Sequence, residues 1–311
     1  DRTDGRIAVR SEGVDARGPE LNARVSGDIT SDAAPSLALD ISIKIPRLTP
    51  KQMQALLPSP IFPSQFNRWL NAAVKSGTVE QTNILLKGRA TELTVAPDND
   101  SVVVRGLMQK IKLDFAPGWP AFEALTGPFE VKRGRLNIEP ASARLYATDI
   151  AVNARIDNLA KPQPAMALAL KSRGSVKDLL KLLLSSPIAG QLPDAVKRMS
   201  ASGQATVDSQ MMLSSDPKLA RARTTIRLKG ASIKLADELP TVQALNGQLS
   251  LSGKTLVAKN LSGKWLDQAV ELDLNASATG TGKLAIRSAV SSQTLQRLAT
   301  VGDVEAPRWI R

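Results

Sequence analysis

Cysteine and histidine are both missing from this chain of 311 residues. Without cysteine there is no disulfide and no thiolate metal site, although oxidising and reducing compartments both stay open. Without histidine the usual general base and the usual zinc ligand are gone. Aromatic residues make up only 3%, with one Tyr, five Phe and four Trp. That is too few for the stacking platforms that bind single-stranded nucleic acid. No run of 18 or more apolar residues occurs, so no segment suits a membrane-spanning helix. The opening DRTDGRIAVR holds no initiator Met and no signal-peptide pattern, and EAPRWIR ends the chain at the approach to a strand. The chain therefore reads as a fragment of a longer protein whose anchor lies elsewhere.

Positive charge is plentiful: 41 Lys and Arg stand against 29 Asp and Glu, a net +12. Such a balance suits an anionic partner, a phospholipid surface or an acidic polymer, or simply a well-solvated surface. The charges are spread along the chain with no block of five or six, so no nucleic-acid partner is expected. Hydrophobic content of 42% fits a folded protein.

The dominant pattern has a period of two. In LALDISIKI, Leu37, Leu39, Ile41, Ile43 and Ile45 alternate with Ala38, Asp40, Ser42 and Lys44. Ile111, Leu113 and Phe115 alternate with Lys110, Lys112 and Asp114; Ile150, Val152, Ala154 and Ile156 with Asn153, Arg155 and Asp157. Val270, Leu272 and Leu274 alternate with Glu271, Asp273 and Asn275, and TTIRLKG and KLAIRS read the same way. Each run is a strand with one apolar and one polar face. Roughly fifteen strands are expected, separated by Gly, Asn, Asp and Pro clusters.

Helical signals are few. TPKQMQALLPS opens with Thr49 as an N-cap and Pro50 at the first helical position. PSQFNRWLNAAVKSG starts near Ser64 and stops at Gly77; SVKDLLKLLLSS starts at Ser175. PDAVKRMSASG follows to Gly203, and SSQTLQRLA begins at Ser292. Short turns precede EALTG and QALNG.

The chain also repeats itself. PAFEALTGPFEVKRGRL returns as PTVQALNGQLSLSGKTL, matching Pro120 with Pro240, Ala124 with Ala244, Leu125 with Leu245, Gly127 with Gly247 and Leu136 with Leu256. ISIKIPRLTPKQMQALLPSPI aligns with LALKSRGSVKDLLKLLLSSPI, and the strand LALKS returns as LAIRS. This period of about 120 residues is longer than that of common solenoids, so each unit is a small sheet. The equivalent helical segments, 50–76 and 175–202, are expected to cover or gate one sheet edge through Leu56, Leu57, Leu179, Leu182 and Leu183.

Catalytic motifs do not emerge. GTGKLAIRS lacks the glycine spacing and the Lys-Ser/Thr ending of a phosphate loop. PDND reads as an Asp-rich turn, and there is no EF-hand spacing. Serines in SSP, SSQ and SSD have no His partner. Trp69, Trp119, Trp265 and Trp309 read as core or sheet-edge aromatics. No enzyme activity, metal or cofactor is expected. The strands' apolar faces need cover. They form a sandwich, lie under helices, or stay partly open as a trough for a long apolar ligand.

Three stretches carry a family resemblance: FPSQFNRWLNAAVKSGTVEQTNILLKG, GWPAFEALTGPFEVKRGRLNIEPASARLY and LLSSPIAGQLPDAVKRMSASGQATVDSQMML. In that order they resemble the YhdP-type proteins of the AsmA-like superfamily. The resemblance implies an inner-membrane-anchored, mostly periplasmic protein of the Gram-negative envelope, built of repeating β-groove units. It further implies carriage of phospholipids between inner and outer membranes, with membrane contact made by parts of the parent protein outside this fragment. The expected fold is mainly β with short helices, in repeated antiparallel curved sheets forming an elongated groove. The expected organisation is the end of a preceding unit (1–48), two units with N-terminal helix pairs (49–173 and 174–290) and the start of another (291–311).

The groove residues expected to meet acyl chains are Ile41, Ile43, Ile111, Leu113, Val152, Ile156, Leu168, Leu170, Ile226, Leu228, Leu272, Leu274, Leu284 and Ile286. Lys44, Lys110, Lys112, Arg227 and Lys229 fall on the opposite side of the alternation, where they would attract anionic headgroups without entering a continuous trough. The alternative is an envelope scaffold with a sealed β core.

Overall fold

The structure is a computed structural model that describes residues 2–3, 6–18, 21–31, 37–56, 61–161, 164–185, 189, 198–214, 221–234, 240–253, 255–277 and 282–288. Leu57, Trp309, the helix expected from Ser292 and the segment 291–311 lie outside the described residues. So does most of the helix expected to reach Gly203.

Sixteen strands form among the described residues: β1 (Arg2–Thr3), β2 (Arg6–Arg17), β3 (Asn22–Ser31), β4 (Leu37–Leu48), β5 (Val74–Arg89), β6 (Val102–Leu113), β7 (Phe122–Lys132) and β8 (Arg135–Leu145). The rest are β9 (Thr148–Ile156), β10 (Met166–Ser175), β11 (Ser200–Leu213), β12 (Arg221–Lys234), β13 (Val242–Ser252), β14 (Thr255–Trp265), β15 (Gln268–Ser277) and β16 (Gly282–Ser288). Three short helices accompany them, α1 (Pro50–Leu56), α2 (Ser64–Ala73) and α3 (Val176–Leu184). Strand order is chain order, and the order is not circular. The mainly-β, antiparallel class read from the alternation is the class observed.

Two of the three helix starts follow their hydroxyl signals, whereas α2 starts after Pro63 with no side-chain cap. At α1, Gln52 Oε1 accepts the Thr49 N–H at 2.7 Å, a capping box. At α3, Ser175 Oγ accepts the Asp178 N–H at 3.0 Å and donates to Asp178 Oδ2 at 2.7 Å. The helix expected to run to Gly203 ends earlier, because β11 begins at Ser200. Ala201, Gly203, Ala205 and Val207 alternate with Ser202, Gln204, Thr206 and Asp208, and that period of two prevails.

The chain divides into two compact units, Asp1–Leu170 with Gln210–Arg221, and Lys171–Ser209 with Ala222–Arg311. In the first unit one core gathers Phe62, Phe66, Val95, Val102, Val131, Leu136, Ile156 and Leu159. In the second, Val176, Ala205, Leu228, Ala231, Leu245, Ala258, Leu261, Val270 and Leu272 form the core, with Leu179 of α3 packed against it.

Bulges recur between the units at matching positions. The β6–β7 register slips between Met108 and Ile111, and the β12–β13 register slips between Leu228 and Ala231. Lys110 and Gly230 sit there at φ 51° and 60°. In one copy Thr126 Oγ1 accepts the Lys110 N–H at 3.1 Å and donates to Ala124 O at 3.1 Å. In the other, Asn246 Oδ1 accepts the Gly230 N–H at 3.0 Å, and its Nδ2 donates to Ala244 O at 2.7 Å. Two different side chains thus satisfy the same two backbone groups.

The repeated Pro-x-x-x-Ala-Leu-x-Gly motif marks the next bulge. Ala124 and Ala244 take φ 54° and 50°, a left-handed conformation uncommon outside glycine. The shift brings Leu125 and Leu245 into the core. Gly127 then passes so close to the following strand that a Cβ would stand 2.7 Å from the Ala141 Cα, while one at Gly247 would stand 2.7 Å from Leu261 Cδ2 and 3.3 Å from its Cα. Gly77 and Gly203 make the same approach to Ile111 and Ala231, at 2.6 Å from each Cα. A third slip, between Ile138 and Ala141, returns between Ala258 and Leu261. Pro140 has no N–H there to satisfy, whereas the Asn260 N–H is accepted by Asp273 at 2.7 Å.

Candidate functional site

Strand pairing puts the apolar members of each alternation on one face. Carried through its bulges, that face shows Val102, Val104, Gly106, Met108, Ile111 and Leu113 on β6, and Phe122, Leu125, Gly127, Phe129 and Val131 on β7. β8 adds Leu136, Ile138, Ala141, Ala143 and Leu145; β9 adds Thr148, Ile150, Val152, Ala154 and Ile156. None is charged. Further toward the N-terminus, Val25 faces Ile43, Gly27 faces Ile41, Ile29 faces Leu39 and Ser31 faces Leu37. Val9 and Val14 extend the face onto β2 opposite Ile29 and Val25.

Cover divides this face. Over β5–β9 lies α2, where Phe62 just before the helix and Phe66 and Trp69 within it follow one another at centroid separations of 6.1 and 5.9 Å. Phe62 and Phe66 pack with Val102, Val131, Leu136 and Ile156. Trp69 donates Nε1–H to Phe115 O at 3.1 Å, and Phe115 stacks on Phe122 at 4.7 Å. A narrow cleft remains beside Trp69, lined by Leu113, Phe122, Leu125, Ile138, Val152 and Leu168. Over β2–β4 the face is open only in part among the described residues: Val9, Val14 and Leu37 are 55%, 59% and 46% exposed, Leu39, Ile41 and Ile43 are half-buried, and Ile45 is buried.

The expected groove residues fall into two groups. Ile111, Leu113, Val152, Ile156, Leu168, Leu228 and Leu272 are buried. Ile41, Ile43, Leu170, Ile226, Leu274 and Ile286 are half-buried. Leu284 pairs with Leu274 through its backbone, but its side chain lies outside the description. Pairing brings Ile41 beside Leu86, Ile226 beside Leu249, and Leu272 between Leu261 and Ile286. The reading from sequence missed Phe62, Phe66 and Trp69 as members of the same surface. The recurrence of Phe66, Trp69 and Ala73 at three and four was the available signal for an apolar helix stripe.

The other face carries the charge. Lys44, Lys110, Arg227 and Lys229 are exposed, and Lys112 pairs with Glu123 at 2.7 Å. Cross-strand ion pairs lace this surface: Lys87 with Asp40, Arg105 with Glu130, Arg135 with Asp157 and Arg144 with Asp149. Exposed pairs of this kind contribute about 0–1 kcal/mol each, so they keep the face wet rather than hold the fold. The hydrogen bond from Arg133 holds the Asp100 carboxyl below the usual carboxylate range. The Asn260 N–H does the same for Asp273, with Arg287 beside it. At the ends of β2–β5 an open cavity is lined by Arg17, Arg24, Lys44, Asn83 and Thr82, among others. Arg24 stands directly opposite Lys44 across the β3–β4 pair.

Among the described residues no group of three or more Asp or Glu could hold a metal ion, and no helix is long and apolar enough to cross a membrane. The surface offers apolar area and rim charge rather than a reactive group. A family model described as YhdP protein matches residues 1–301. No curated protein and no solved structure matches the chain.

Proposed function

We propose, from the premise that the chain belongs to the YhdP protein family, that its uncharged sheet face shields phospholipid acyl chains on their way between the inner and outer membranes. The reading places the chain in the periplasm, as part of an inner-membrane-anchored protein. The observation that carries it is the partly open apolar face of β2–β4, where Val9, Val14 and Leu37 are exposed while Ile45 is buried. Burying an acyl chain is worth about 0.8 kcal/mol per methylene. A chain of roughly sixteen carbons therefore meets a barrier on the order of 10 kcal/mol in bare water. An apolar face with no charge on it lowers that barrier and needs no catalytic group. Arg24 and Lys44 at the rim supply the charge for anionic headgroups.

The scaffold reading draws on a different observation, the sealing of β5–β9 beneath α2. One experiment separates the two. A photocrosslinking residue is placed in cells at Leu39 or Ile43 on the apolar face, and at Asp40 or Ser42 on the other, and adducts are analysed for lipid. Adducts from Leu39 and Ile43 alone are expected. Equal adducts from both faces, or none from either, would favour the scaffold.

A further inference from the structure

We propose that α2 is a displaceable lid, seated where an acyl chain would lie on β5–β9 and required to leave for lipid to be carried there. This rests on the lipid-shielding reading above. Ile156, expected to line the groove, packs instead in one cluster with Phe62 and Phe66. Val152 and Leu168 line the cleft beside Trp69. Helix and acyl chain thus compete for one surface. The ridge of Phe62, Phe66 and Trp69 is an apolar strip like the ligand it excludes, while Ser64, Gln65, Arg68 and Asn71 on the helix are half-exposed or exposed to water.

The closed position rests mainly on apolar packing, which a lipid chain can replace. Ten residues make a helix that is marginal by itself. The polar ties from this segment to its surroundings include Trp69 Nε1–H to Phe115 O at 3.1 Å and the Val95 N–H to Ile61 O at 2.9 Å. Asn67 Oδ1 is buried with no hydrogen-bond partner, a cost that closure imposes and opening relieves. Directly after the helix, the β5 register with β6 slips between Val74 and Ser76 and again between Ser76 and Thr78, so the joint is irregular.

The absence of cysteine permits a clean test. The Val95 N–H donates to Ile61 O at 2.9 Å, so Ile61→Cys with Val95→Cys is the pair chosen to pin the helix entrance when oxidised. The full chain is mixed with vesicles containing phosphatidylethanolamine bearing a photoreactive acyl chain, and labelled peptides are mapped. Reduced protein should be labelled on β4 and on β8–β9. Oxidation should cut β8–β9 labelling at least tenfold, leave β4 unchanged, and be reversed by dithiothreitol. Trp69→Ala, which removes one tie, should raise β8–β9 labelling severalfold. Equal β8–β9 labelling in both redox forms, or none there in either form and in Trp69→Ala, overturns the lid. Absence of β4 labelling in every form overturns the lipid reading itself.

Discussion

Strands β2–β4 and β5–β9 present the same alternation of apolar and polar residues. Yet Val9, Val14 and Leu37 face solvent, whereas Val102, Val131, Leu136 and Ile156 are buried against Phe62 and Phe66. The difference lies in the connections. Between β2 and β3 the chain turns at once, with Gly18 and Leu21 exchanging backbone hydrogen bonds. Between β4 and β5 it makes α1 and α2 before rejoining the sheet. Alternation thus defines a face, and the length and periodicity of the links decide whether anything covers it.

The largest expected effect comes from placing a charge on each side of that divide. Ile156→Asp places an unpaired carboxylate beneath α2 and should drive the helix off the sheet and destabilise the first unit, seen as rapid proteolysis near α2 and a lowered urea midpoint. Ile43→Asp, on the half-buried β4 face, should leave the circular dichroism intact and abolish lipid adducts. Similar damage from both would erase the distinction. Next comes truncation. Phe66→Ala should cost about 3–5 kcal/mol in urea unfolding, and Val9→Ala no more than about 0.5 kcal/mol. A substantial loss at Val9 would mean that the exposed face has a cover in solution.

Smaller effects sharpen the comparison between the two bulge sets. Thr126→Asn and Asn246→Thr exchange side chains that make the same two hydrogen bonds, so each should stay within about 0.5 kcal/mol of the parent. Thr126→Val keeps the shape and drops both bonds, and should cost about 0.5–1.5 kcal/mol. If the exchanges cost as much as the valine, the bulges are not equivalent. The smallest effect is titratable. Asp273 has its carboxyl pKa lowered in the folded state by the Asn260 N–H and Arg287. Its contribution is therefore present above the unfolded carboxylate value near 3.8 and is lost as pH falls through the lower folded value. Asp273→Asn should remove a small part of the acid sensitivity of β14–β15 amide exchange. In the first unit Pro140 occupies the corresponding bulge, with no N–H to titrate against, and exchange at β8–β9 should lack that component.

Much of this fold could be read from the sequence because a period of two survives wherever a strand is regular. It fails at the bulges. Met108 and Ile111 are three apart and share one face, since Lys110 at φ 51° takes up the extra residue. Short windows on either side of Lys110 therefore give correct faces but cannot be joined by counting. Ala124 and Ala244 carry no local signal for a left-handed backbone; only their recurrence marks them. The residues expected to line a groove lie on strands, but their exposure was not legible, because it depends on a helix whose docking is set by tertiary packing. Phe66, Trp69 and Ala73 could be recognised as a helical stripe without revealing which strands lie under it.

Strand order that follows chain order also bears on how such a molecule is made. Two stretches of one sheet with matching bulges offer similar partners, so pairing of β12 with the first unit's β7 competes with its pairing to β13. Simultaneous folding of both would invite exchange between them. Because each strand pairs with the one synthesised just before it, the partner already in place is the correct one, and loop closure is short at nearly every step. Refolding of the whole chain from denaturant should therefore give more strand-swapped and aggregated species than synthesis on the ribosome.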